Sequence, residues 1–219
     1  VRLQRAGAAL LVLCCLALGT AQAADAPATP SGDQILARAG AADGLRSFSV
    51  PVHFNVHLHK PIGFRAGMDG TAYFKAPAKS ALVITKTPPL IGAFFRGQYN
   101  LDMVPQAWPA KYRVTSVRST QFNGVAVYEL VAKPKVDNGV DHVVFDVAQN
   151  GFTPLAAQWT YPDRSTIGLA VANARVESYE LPQTETVNVA MPRYNLDATT
   201  TFGQYALNVP VADSVFVTK

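Results

Sequence analysis

The chain has 219 residues and a mass of 23.4 kDa, a length that suits one large domain or two small ones. Charged residues make up only 16% against 49% hydrophobic ones, well under the roughly 25% charge of an average globular chain. This balance excludes a disordered segment, a coiled coil and a nucleic-acid-binding tail. The formal charge of +4 carries little information either. Setting Arg2 and Arg5 aside leaves 17 of the 19 basic residues against 15 acidic ones, a balance of +2.

Residues 1–23 read as a signal peptide. Arg2 and Arg5 form a basic start, Ala6 to Thr20 an apolar stretch, and Ala21-Gln22-Ala23 a small-x-small cleavage pattern. The apolar stretch is shorter than the ~20 residues of a spanning helix. Cys14 and Cys15 follow Leu13 and Cys14, where a lipid-attachment motif wants Gly, Ala or Ser. The expectation is therefore an exported protein without a lipid anchor, in the periplasm or another extracytoplasmic compartment. Both cysteines would leave with the signal, and no disulfide would remain. Residues 24–30 are Ala/Pro-rich and read as a flexible leader. No break in composition divides residues 31–219, which are read as a single domain.

Ser31 followed by Gln34 is a capping-box pattern, and Ile35, Leu36 and Ala39 then share a helical face. The pattern predicts one helix of about ten residues, closed by Asp43-Gly44. Strands follow. Val52, Phe54, Val56 and Leu58 alternate with His53, Asn55, His57 and His59, giving a long half-buried strand. Further strands are expected over 68–75, 81–86, 112–118, 125–133, 140–147, 155–161, 166–179 and 187–191, with a tail of undetermined pairing over 202–216. Asn123-Gly124, Asn138-Gly139 and Asn150-Gly151 supply the positive φ angles of tight hairpin turns. The predicted fold is α+β: a single antiparallel sheet of nine or more strands with a short N-terminal helix.

Residues 88–110 break the pattern. Leu90, Ile91, Phe94, Phe95, Met103 and Trp108 are too apolar for a solvated loop, and Pro88, Pro89, Pro105 and Pro109 exclude a long helix. A lid or plug against the sheet fits this composition, and so does a static cap on the core.

Most active-site chemistry is absent from the sequence. There is no Gly-x-Ser-x-Gly elbow. Gly92 to Gly97 has phosphate-loop glycine spacing, but Gln98 and Tyr99 stand where Lys and Ser/Thr are required. Only the histidines offer an alternative. His57 and His59 lie about 6.6 Å apart along one strand face, a span a zinc ion can bridge, with His142, Asp69 or Asp141 as a third ligand. His53 is about 13 Å from His57, too far to join. The same four-residue alternation also describes the wet face of a sheet. No catalytic residue, cofactor or metal is assigned.

The order of these features carries a resemblance. An export signal, one short helix, a strand opening Leu45-Arg46-Ser47-Phe48-Ser49, and a strand ending Phe74-Lys75-Ala76-Pro77 come first. A proline-broken apolar segment and a run of antiparallel strands complete it. This order resembles the periplasmic lipoprotein-carrier family typified by LolA and the outer membrane lipoprotein-sorting proteins. The resemblance implies that the sheet is curved into an incomplete β-barrel. It also implies a non-enzymatic carrier with a hydrophobic cavity for lipids or the acyl chains of lipoproteins, served by membrane-bound donor and acceptor proteins, with no nucleic-acid partner. The family's lid-latching arginine is not assigned, Arg65 and Arg96 being the available stand-ins.

A sheet with one apolar face and little to cover it leaves a cavity. Alternation places Phe54, Val56, Leu58, Met68, Phe74, Tyr128, Leu130, Val143, Phe145, Leu155 and Trp159 on the inward face. These are the acyl-cavity candidates, and a packed core would use the same residues. An envelope sensor or adaptor of the same fold and an exported metal-binding enzyme are the other readings.

Overall fold

In the computed structural model the described residues are 30–41, 44–61, 63–77, 79–86, 105, 108–193 and 195–217. The signal and leader segments, apart from Pro30, lie outside them. So do Leu90, Ile91, Phe94, Phe95, Arg96 and Met103 of the apolar segment.

Helix α1 spans Gly32–Ala39 and begins as its capping box dictates. The Gln34 backbone N–H donates to Ser31 Oγ at 3.3 Å, and the Ser31 N–H donates to Gln34 Oε1 at 2.8 Å. It ends at Gly40, before the expected closure at Asp43-Gly44, of which Asp43 lies outside the described residues. The Gly40 N–H donates to the Leu36 carbonyl at 3.2 Å and the Ala41 N–H to the Arg38 carbonyl at 3.0 Å. Asp33 ties the helix down by accepting the Val114 N–H at 2.9 Å. Replacing Ser31 by alanine removes the capping acceptor. We expect a loss of about 1 kcal/mol in urea unfolding, with no change in denaturant slope.

Among the described residues, eleven strands make one antiparallel sheet. β1 is Ser47–Lys60, β2 Phe64–Lys75, β3 Lys79–Lys86, β4 Tyr112–Phe122, β5 Val125–Pro134 and β6 His142–Ala148. β7 is Pro154–Thr160, β8 Thr166–Val176, β9 Tyr179–Ala190, β10 Asn195–Phe202 and β11 Ala206–Leu207. A short helix α2, Trp108–Lys111, precedes β4, and a 3₁₀ turn covers Asp213–Phe216. The spatial order is β3-β2-β1-β10-β9-β8-β7-β6-β5-β4, with β11 beside β1. The sheet is open, with β3 and β4 at its two edges.

Two expectations at the C-terminal end are corrected. The run 166–179 is not one strand: it turns at Glu177, which has φ 55, and β9 starts at Tyr179. Asn195–Phe202, not assigned from the sequence, is strand β10, and it joins the two halves of the sheet by pairing with β1 on one side and β9 on the other. The Asn-Gly turns behave as their chemistry requires. Asn123 and Gly124 take φ 48 and 81 between β4 and β5, and Gly139 and Gly151 are also in the left-handed region.

The inner face carries two apolar clusters. Under α1 and α2, Ile35, Leu36, Trp108 and Tyr112 pack onto Leu130, Val143, Phe145 and Trp159. Phe145 is the hub, 4.4 Å from the Trp108 ring and 5.5 Å, edge-on, from Tyr112. The indole N–H of Trp159 donates to the Tyr112 hydroxyl at 2.9 Å, so the buried polar atoms satisfy each other. A second cluster, Leu45, Phe74 and Leu181, lies at the other end with Phe48, Tyr179 and Tyr205 packed against it.

Candidate functional site

The gap between these clusters follows from dimensions. An eight-residue helix is about 12 Å long. Ten strands side by side span about 45 Å before curvature. α1 packs against β4, β5 and β6. The inner face of β1, β2, β8, β9 and β10 is left with a cavity of about 460 Å³, inside the ~300–1,000 Å³ range of small-molecule sites.

Register sets the walls. β1 contributes Phe48, Val52 and Phe54, and opposite Phe54 stands Thr200 of β10. Ala72 and Leu82, paired across β2 and β3, add a small and a larger apolar surface. Leu169 and Val171 of β8 form the facing wall. One end is aromatic: Phe74 stacks on Phe48 at 5.5 Å, and Phe48 meets the Tyr205 edge at 5.3 Å. Trp108, Phe152 and the last turn of α1 close the other end. There the Arg38 guanidinium lies over the Phe152 ring, 4.8 Å from its centroid.

Among the eleven inward residues named from alternation, Phe54 and Phe74 line this cavity. Trp108 of the apolar segment lines it too, though almost wholly buried. Leu130, Val143, Phe145 and Trp159 sit in the packed cluster beneath α1, with Tyr128 against its margin. Val56, Leu58 and Met68 are buried further along β1 and β2, and Leu155 is half-buried on β7. Arg65 stands beside His57 on the outer face of β2, pointing away from the cavity. Among the described residues, the arginine at the cavity is Arg38, whose only sequence signal was its place in the final turn of α1.

One polar side chain was missed. Glu185 stands opposite both Val171 and Thr200, which places it on the inner face in the cavity wall. Burial in this apolar wall pushes its carboxyl up to about 7. Between about pH 4.5 and 7 the folded chain holds a proton that the unfolded chain has released, so stability falls as pH rises through that window and levels off above it. Glu185→Gln should remove this decline and be the more stable protein at pH 8. Urea midpoints measured from pH 4.5 to 8.5 check this, and parallel profiles for the two proteins would contradict it.

The histidines lie on the outer face. His57, His59 and Asp197 bring their ligand atoms within 4.8 Å of one another. The third member is Asp197, the β10 partner of His57. Asp69 instead bonds His53 at 2.6 Å, and Asp141 bonds His142 at 2.8 Å. A two-histidine, one-carboxylate set suits a divalent metal in donor type. In this cluster His59 already hydrogen-bonds the Asp197 carboxylate, and this bond, with the charges of His59, His57 and Arg65, holds that carboxyl below its usual range. Among the described residues the three form a hydrogen-bonded cluster on the outer face.

No protein-family model matches the sequence. No curated protein matches it either. Solved structures do match. A LolA superfamily protein from Nitrosomonas europaea superposes with a TM-score of 0.58 at 13% identity, over 86% of this chain and 98% of that one. A putative outer membrane lipoprotein-sorting protein domain from Vibrio parahaemolyticus gives 0.63 at 12% identity, over 84% of this chain and 93% of that one. A DUF1329 family protein from Desulfovibrio piger gives 0.59 at 12% identity, over 85% and 95%. At these identities the likeness is one of fold, and the chain has the LolA-type fold: one open antiparallel sheet curved around a short N-terminal helix.

Proposed function

We propose that this protein is a non-enzymatic carrier that holds the acyl chains of lipids or lipoproteins in its inner cavity, in an extracytoplasmic compartment. The observation that supports this reading is the cavity of about 460 Å³, walled by Phe54, Leu82, Leu169 and Val171 and left uncovered by an eight-residue helix. Each methylene moved from water into such a wall gains ~0.8 kcal/mol, so a long chain binds without any covalent step. The fold shared with a lipoprotein-sorting domain points the same way. Loading and delivery by membrane-bound donor and acceptor proteins belong to the same proposal.

The test is native mass spectrometry of protein purified from its own host, with organic extraction of what it holds. A one-to-one complex with an acyl-bearing molecule is expected. Ligand-free protein that also fails to take up a C16 alcohol would overturn the reading.

A further inference from the structure

Glu185 is the feature that an acyl-chain cavity does not explain. Its strand neighbours on the same face are Val187 and Val189, and its cross-strand neighbours are Val171 and Thr200. Among the described residues it has neither an ion pair nor a hydrogen bond. The nearby Tyr205 hydroxyl is committed elsewhere, donating to the Pro182 carbonyl at 2.6 Å. Burial, with the Glu185 charge added, keeps that phenol protonated well above its ordinary range. The titratable and charged groups in the described lining are Arg38 of α1, Tyr73 of β2, Tyr179, Glu180 and Glu185 of β9, and Tyr205. Arg38 is held over Phe152 and makes no ion pair with Glu185. Among the described lining residues, none sets a cation against Glu185.

Resting on the cavity reading, we propose that the occupant is a single-chain amphiphile bearing a cationic amine, its chain against the apolar wall and its ammonium group on the Glu185 carboxylate. The amine supplies a hydrogen-bond donor and a charge that the described residues do not set against Glu185. A half-buried carboxylate in an apolar wall without a partner is costly, and an ammonium in contact with it reduces that cost. A fatty acid would set a second carboxylate beside the first. A neutral alcohol offers a hydrogen bond without charge. Because burial holds the free Glu185 carboxyl near pH 7, the ammonium finds a charged partner more completely as pH rises, and a carboxylate ligand meets growing repulsion.

The experiment titrates the full chain and Glu185→Gln with hexadecylamine, hexadecanol and hexadecanoate at pH 6 and pH 8. The amine is expected to bind about tenfold tighter than the alcohol at pH 8, the worth of a charge-assisted hydrogen bond. That advantage should shrink at pH 6. Hexadecanoate should bind more weakly at pH 8 than at pH 6. In Glu185→Gln the amine's advantage over the alcohol should vanish. Equal binding of amine and alcohol at both pH values, unaltered by Glu185→Gln, would overturn the inference and leave the cavity reading standing. Binding of none of the three would remove the cavity reading and the inference with it.

Discussion

Replacing Phe145 by alanine is expected to cost about 3–5 kcal/mol, the range for a large aromatic deleted from a packed core. Phe145 is fully buried and touches Trp108, Tyr112 and Trp159, so no neighbour can move in without breaking the other contacts. Phe54→Ala should cost only about 1–2 kcal/mol, because that ring is half-buried and already faces open space. Both side chains lie on the inner face of the same sheet. Urea unfolding of the two variants separates them, and equal losses would mean that the Phe54 end of the sheet is as solid as the Phe145 end.

The second large effect is on binding. Val171→Trp places an indole in the cavity from the middle of its β8 wall. That ring takes the room of about four chain methylenes, at ~0.8 kcal/mol each, so affinity for a C16 chain should fall about a hundredfold or more. Stability should change by no more than about 1 kcal/mol, because the added atoms enter free volume instead of an occupied core. Isothermal titration with hexadecanol, paired with circular dichroism, checks both halves. A variant that folds and binds as well as the parent would place the chain elsewhere.

The two aromatic sites also explain what the sequence conveys. Alternation assigns a residue to a face, since the strand period is two, and it placed Phe54, Phe74, Leu130, Phe145 and Trp159 on one face. It says nothing about which part of that face a helix covers. The extent of cover depends on α1 ending at Gly40 and resting near β4, and on strands distant in sequence becoming neighbours. β10 went unassigned because its inward residues, Leu196, Ala198, Thr200 and Phe202, include two that are small or polar, so the apolar rhythm is faint. Its register is set by β1 and β9. The break between β8 and β9 has no glycine to announce it, and Pro182 inside β9 argues against a strand. The proline is accommodated at the irregular pairing where Asn173 meets it.

Glu185 was legible in principle. Glu185, Val187 and Val189 share a parity, so the carboxyl had to lie on the valine face. The strand expected over 187–191 starts two residues too late to include it, whereas β9 runs over Tyr179–Ala190. Asp197 had no local signal at all, because its nearness to His57 and His59 comes from the β1–β10 register, across some 140 residues of chain.

The most direct measurement is the position of a bound chain. With isotope-labelled protein and saturating hexadecanol, nuclear Overhauser contacts from the chain methylenes should reach the methyl groups of Leu82, Leu169 and Val171, which line the cavity. They should be absent at Leu130 and Val143, which are fully buried beneath α1. Contacts at the core methyls or only at exposed Val83 and Val125, or no saturable contacts at any methyl, would contradict the account.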